Sequence, residues 1–252
     1  DGLLKQNISK KLKIFLINRY KSKQTNTSPM EKSTHRKKHG KRLFKLIVEN
    51  YKKDLKGKKI LEIGCGSGFL LRLFKKKKLD VFGIEPSNAN NLKKLKIKKV
   101  FYSKAKYNHK FDIITSNAVL EHEFKPDFFI KKSYKDLNYG GMIFICIPDF
   151  TKLIKNGDPT LVNHEHVSYF TKANLKFYLM KNRFSKIKVF SDKYGNLYGV
   201  GFKEMQKIKF IKSNFVKNKR PDINYHKRFF SCVRKMNKWL KSEKKYNLGL
   251  HG

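Results

Sequence analysis

Two short stretches carry most of the chemical content of this sequence. In "LEIGCGSGF", residues 61–69, glycine takes every second position at Gly64, Gly66 and Gly68, between an apolar run and an apolar helical pattern. Glycines there let the backbone approach a ligand closely, and a helix that follows offers unpaired N–H groups. A tight turn would use the same residues. Glu85 favours the ligand: it lies 17 residues past Gly68, at the end of the next apolar run, where a carboxylate can accept hydrogen bonds from a ribose diol. A dinucleotide fingerprint would need a third glycine at position 69, and Phe69 stands there.

The second stretch is "VNHEHVSYFT", residues 162–171. His164, Glu165 and His166 put two imidazoles and a carboxylate in three positions, which makes them general-base candidates. A metal is not expected, because His-x-His lacks an evident third ligand. The plainer alternative is a helix N-cap at Thr171, with Tyr169 and Phe170 packing and the histidines simply hydrogen-bonded. His122, beside Glu121, reads first as a core or supporting histidine. Cys65 fits the glycine turn as a small residue and has no nucleophilic role.

These residues must be held by elements, and the chain alternates them. "KKILEIG" reads as a buried strand, "SGFLLRLFKKKK" as a helix capped by Ser67, and "DVFGIEPS" as a second strand. "NANNLKKLKIK" reads as a helix, "KKVFY" as a third strand and "FDIITSNAVLEH" as a fourth. "KPDFFIKKSYKDL" is a helix and "GGMIFICIPD" a fifth strand, followed by a helix in "KANLKFYLMKNRF" and a final strand pair in "KIKVFSD" and "LYGVGFK". Such alternation predicts a parallel sheet covered on both faces. Upstream, "LLKQNISKKLKIFLINRY" and "KRLFKLIVENYKKDL" have helical spacing, with a linker over "KSKQTNTSPMEKSTHRKKHG" between them.

In this order the motifs resemble class I S-adenosylmethionine-dependent methyltransferases. The resemblance rests on E-x-G-x-G-x-G at Glu62, Gly64, Gly66 and Gly68, on "FGIEPS", on "FDIITSNAVLEH" and on "LNYGGMIFICIPD". It implies an α/β, Rossmann-like fold with a mostly parallel seven-stranded sheet and helices on both faces. It also implies S-adenosyl-L-methionine as cofactor, held by Glu62, Gly64, Cys65, Gly66 and Gly68. Glu85 would hold the ribose with Pro86 beside it, and Asn117 would line the methionine side. "HEHVSYFT" is similar to a segment of methyltransferases in sugar-nucleotide and surface-polysaccharide pathways, which implies a glycan or small-molecule acceptor. His166, Glu165 and His164 would then supply the base and substrate contacts. Asn163 stands where that group has tyrosine, so O-methylation of a sugar hydroxyl is at least as well supported as C-methylation.

Three regions follow: a basic helical extension and linker over 1–39, the methyltransferase domain over 40–204, and a basic helical extension over 205–252. The net charge is +41, from 60 basic and 19 acidic residues among 252. Nearly all the cations are lysine, not the arginine fork that nucleic acid sites favour, so most of the charge reads as solvated surface. RNA methylation is the second reading, and a membrane-associated scaffold using the basic flanks on an anionic surface is the third. Cys65, Cys146 and Cys232 have no CxxC spacing, which suits a reducing, cytoplasmic setting. The chain opens on Asp1, with no signal-peptide profile, and is expected to be a piece of a longer protein.

Overall fold

A computed structural model describes residues 3–22, 33–87, 95–158, 165–205 and 227–231, with 234, 235 and 238. The chain begins with β1 (Leu4–Lys5), α1 (Lys10–Lys21) and α2 (Thr34–Tyr51). The alternating part runs β2 (Lys59–Ile63), α3 (Phe69–Lys76), β3 (Asp80–Ile84), β4 (Lys96–Lys98), β5 (Phe111–Asn117), α4 (Pro126–Asp136) and β6 (Leu137–Pro148). It continues with α5 (Phe150–Asn156), β7 (Ser168–Tyr169), α6 (Lys172–Lys181), β8 (Ser185–Ser191) and β9 (Asn196–Phe202).

Seven strands form one sheet in the order β4-β3-β2-β5-β6-β9-β8. The first five run parallel, and β9 joins β6 antiparallel and carries β8 with it. The order reverses between β2 and β5, and ligands of open parallel sheets sit at the strand ends beside such a switch point. Strand side chains alternate between faces, so neighbouring residues enter different cores. Leu61 and Ile63 join Phe129 and Ile130 of α4 and Leu175 and Leu179 of α6. Ile60 joins Leu43 and Ile47 of α2 and Leu70 and Phe74 of α3 on the other face. Phe74 is wholly buried there, and Phe74→Ala is expected to cost about 3–5 kcal/mol in urea unfolding, the usual loss for an emptied aromatic site.

Several local expectations shift. The helix after the glycine turn is capped by Gly68, not Ser67, because Gly68 has φ +75 and makes the break itself. The third strand lies at 96–98, ahead of "KKVFY", and Tyr102–Lys104 is a 3-10 turn. The helix expected over 88–98 falls mostly outside the described residues, and its last three positions are β4. Helix α5 was not anticipated; Asp149 caps it through the Thr151 and Lys152 N–H groups. The linker expected through Gly40 ends sooner, since Ser33 caps α2 and Thr34 begins it. Position 40 therefore lies inside a helix.

Residues 3–22, the described part of the N-terminal flank, are tied to the domain. β1 pairs antiparallel with β7, Leu4 opposite Tyr169, and Gln6 N–H donates to the Val167 carbonyl at 3.1 Å. Of the C-terminal flank, the described residues include Arg228, whose Nε donates to the Ile154 carbonyl of α5 at 3.4 Å. No helix among the described residues is long and apolar enough to cross a membrane.

Candidate functional site

The glycine turn leaves β2 and is fastened to the end of β3. Gly64 and Cys65 N–H both donate to the Ile84 carbonyl, at 2.8 and 3.0 Å. Glu85 follows at once, and its two carboxylate oxygens take the Gly66 N–H at 2.8 Å and the Ser87 N–H at 3.0 Å. The carboxylate is thus held rigidly beside the turn, with Pro86 between its two anchoring points. A side chain at Gly64 would strike Val119 Cγ2 at 2.4 Å, so residue 64 is closed in by the segment after β5. Gly66 is the opposite case. Its φ is +50, and a Cβ built there meets nothing within 4 Å among the described residues. Gly64 therefore serves packing, while Gly66 faces open space beside Glu85.

Beneath the turn sits Glu62, 3% exposed. The Leu71 N–H of α3 hydrogen-bonds its carboxyl, but Oε2 has no partner. Burial pushes this carboxyl well above the usual range, and nearby Glu85 adds to the rise. An orphaned, buried carboxylate oxygen is costly unless a donor or cation reaches it. Cys65 is also buried, and its thiol is pushed up by burial first and then by Glu62 and Glu85, so it is not poised as a thiolate.

Asn117 ends β5, and its Oδ1 accepts from His39 Nε2 of α2 at 3.0 Å. Arg42 Nη2 donates to His39 Nδ1 at 3.0 Å. Arginine has only donors, so Nδ1 must be unprotonated and His39 neutral, with the proton on Nε2. Burial lowers the His39 pKa in the same direction. Arg42 in turn pairs with Asp192 at 3.3 Å and lies 4.3 Å over the Tyr194 ring. Nothing in the linker reading of residues 33–40 pointed to His39; the Ser33 cap ahead of an apolar helical face was the available signal.

The second half of the site lies where β5 gives way to a 3-10 turn at Leu120–His122. Val167 N–H donates to the Glu121 carbonyl at 2.9 Å, and His122 Nδ1 donates to the Glu165 carbonyl at 2.8 Å. These bonds bring "EHV" of 165–167 against "LEH" of 120–122. The His122 and His166 rings stand 5.1 Å apart. The carboxylate of Glu165 faces elsewhere, pairing with Arg19 Nε of α1 at 2.8 Å. His164 lies outside the described residues. Glu123 is close by; burial pushes its carboxyl up to about 7, with the His122 imidazole pulling the other way. The plainer expectation for Thr171 also holds: it caps α6 in a reciprocal pair with Asn174.

The N-terminal strap completes this half. Tyr20 packs edge-on against His122, with ring centroids 5.6 Å apart, and its hydroxyl is pushed up by burial and by Glu165 and Glu121. Arg19, Tyr20, Glu121 and Glu123 were not singled out from the sequence, because their role depends on contacts between distant segments. The two halves meet at Val119, which touches the Gly64 position and is two residues from Glu121.

The comparisons bear on this geometry. The model of a methyltransferase-domain family matches residues 34–188. The chain is 34% identical over 137 residues to the ubiquinone biosynthesis O-methyltransferase of Pelagibacter ubique (strain HTCC1062), covering 48% of this chain and 56% of that one. It is 31% identical over 115 residues to the tRNA U34 carboxymethyltransferase of Sulfurovum sp. (strain NBC37-1), covering 36% of this chain and 35% of that one. The chain thus spans about half or less of the length of the curated relatives it matches. Its fold is similar to that of the magnesium protoporphyrin IX methyltransferase of Synechocystis PCC 6803, solved with bound S-adenosylmethionine. The TM-score is 0.56 at 14% identity, over 79% of this chain and all of that one.

Proposed function

The chain belongs to the methyltransferase-domain family matched over residues 34–188, and from that premise we propose that it moves a methyl group from S-adenosyl-L-methionine to an acceptor hydroxyl. The observation that carries this reading is an open glycine, Gly66, bonded to the fixed carboxylate of Glu85 and near a buried Glu62 carboxyl with one unpartnered oxygen. Glu85 is placed for the ribose hydroxyls. Glu62 Oε2 fits the cofactor's ammonium group, which would supply the donor and charge that this oxygen lacks. Gly64, Cys65 and Gly68 shape the turn, and Asn117, oriented by His39, borders the methionine side.

When bound, the cofactor would supply a methyl group on a sulfonium, for transfer to the acceptor oxygen with the S–CH3 electron pair left on sulfur. The protein's own work is alignment and removal of one proton. His166 and His122 face the acceptor end, with Glu165 as a positioning residue whose carbonyl fixes the His122 tautomer. Transfer to oxygen is supported by the histidine cluster and by the likeness to the Pelagibacter O-methyltransferase. A sugar hydroxyl falls within this class and rests on the "HEHVSYFT" resemblance.

The reading is tested with the full chain and methyl-labelled cofactor, offered sugar nucleotides, lipid-linked glycans, acceptors of ubiquinone biosynthesis and tRNA. Label is expected in a hydroxyl-bearing small molecule or glycan, as a methyl ether. Label in tRNA, with binding that weakens steeply as salt rises, would instead favour the RNA reading that the charge of +41 and the Sulfurovum relative suggest. No cofactor binding by calorimetry would end the proposal.

A further inference from the structure

Glu121 raises a problem that methyl transfer alone does not answer. It is 3% exposed, yet no other residue hydrogen-bonds either carboxylate oxygen, and only its own backbone N–H lies near. A buried ionised carboxylate is costly unless it is paired or coordinates a metal. The side chains around it are suited to the second solution. His122 Nε2 stands 3.9 Å from Glu121 Oε1. His166 closes the group, and one donor atom from each of Glu121, His122 and His166 lies within 4.8 Å of the other two.

The tautomer of His122 agrees. Its Nδ1 faces the Glu165 carbonyl oxygen at 2.8 Å, and a carbonyl only accepts, so a proton sits on Nδ1, and in the neutral imidazole the Nε2 lone pair is then free for a metal ion. Imidazoles that bind metals are oriented in this way by a backbone carbonyl on the other nitrogen. The geometry points to a divalent cation of the first transition row, held by one carboxylate oxygen of Glu121 and the imidazoles of His122 and His166. Mixed imidazole and carboxylate donors suit such ions, whereas Mg2+ and Ca2+ favour all-oxygen sites. Bonds of about 2.0–2.2 Å would set the donors roughly 3–3.5 Å apart. Small side-chain rotations of the half-buried His122 and His166 close the difference from 4.8 Å.

Among the described residues, His166 alone of His-x-His belongs to this group, and the further ligands were not evident in the sequence. They come from the turn after β5. Three protein ligands leave a position for an acceptor oxygen, whose proton the cation would make easier to release to solvent. That last step rests on the methyl-transfer reading; the binding site itself does not.

The test uses the full chain, stripped with a chelator, then titrated with Zn2+ by calorimetry and with Co2+ by visible absorption. One equivalent of Zn2+ is expected, together with Co2+ bands typical of nitrogen and oxygen ligation. Glu121→Gln and His166→Ala should each weaken Zn2+ binding about 10–100-fold. His109→Ala should leave it unchanged, since His109 packs against Phe82 and Phe111 instead. Circular dichroism melting checks that each variant folds, and if Glu121→Gln does not, the half-buried His166 variant decides. Absence of stoichiometric Zn2+, or binding unchanged in the folded variants, overturns the site. Cofactor binding by the stripped chain is read separately. Cofactor bound without any Zn2+ site overturns the cation and keeps the methyltransferase reading; a Zn2+ site without cofactor binding keeps the cation and overturns that reading.

Discussion

Gly66→Leu is expected to bind S-adenosylmethionine about 100-fold more weakly than the unaltered chain, a loss of about 2.7 kcal/mol, while remaining folded. The reasoning is steric. A Cβ at this position meets no atom of the described residues within 4 Å, so the new side chain projects into the open space beside Glu85. Only the ligand is displaced. The backbone pays for φ +50 with about 1–2 kcal/mol, because L residues are strained there. Gly64→Leu gives the contrast, since its Cβ would lie 2.4 Å from Val119 Cγ2 and its φ is +70. That variant should lose stability outright. Calorimetric titration with the cofactor and urea unfolding of both variants separate the two effects. Equal cofactor affinity in Gly66→Leu and the unaltered chain would remove Gly66 from the cradle.

His166→Ala should lower turnover by about 10²–10⁴-fold with cofactor affinity unchanged, the usual span for losing a general base. His166 stands by His122, across Val119 from the glycine turn, so its removal leaves the Gly66–Glu85 contact in place. The expected loss is the same in kind if the imidazole holds the cation proposed above, because the acceptor proton is then harder to release. Single-turnover assays with labelled cofactor, set beside calorimetry, distinguish this from a binding defect. Full turnover in the variant would exclude His166 from the chemistry, and a parallel loss of cofactor affinity would assign it to binding instead.

The parallel core and the glycine turn were legible in the chain because their signals are local. Strand residues alternate between two faces over five positions, as Ile60, Leu61 and Ile63 do, and that alternation needs no knowledge of the partner helices. Gly64, Gly66 and Gly68 mark a turn through backbone freedom alone. Glu85 follows from strand length: a second strand paired in register with the first must end beside the turn, and Ile63 does stand opposite Ile84. Where local signals competed, the reading slipped. Ser67 looked like a cap, but the positive φ of Gly68 moved the break one residue on.

The sequence by itself therefore determined the sheet, the glycine turn and its acidic partner, because periodicity and backbone sterics act between near neighbours. Tertiary structure alone decided the cluster of Glu121, His122 and His166. Glu121 and His122 meet His166 across more than forty residues, Tyr20 and Arg19 reach them from an N-terminal strap, and His39 orients Asn117 from 78 residues away. No propensity encodes such meetings; they exist only once strand order and crossover connections have fixed which loops share one end of the sheet. His166 of "HEH" is a base candidate in sequence and stands in space beside His122 and a buried carboxylate, both supplied by another loop.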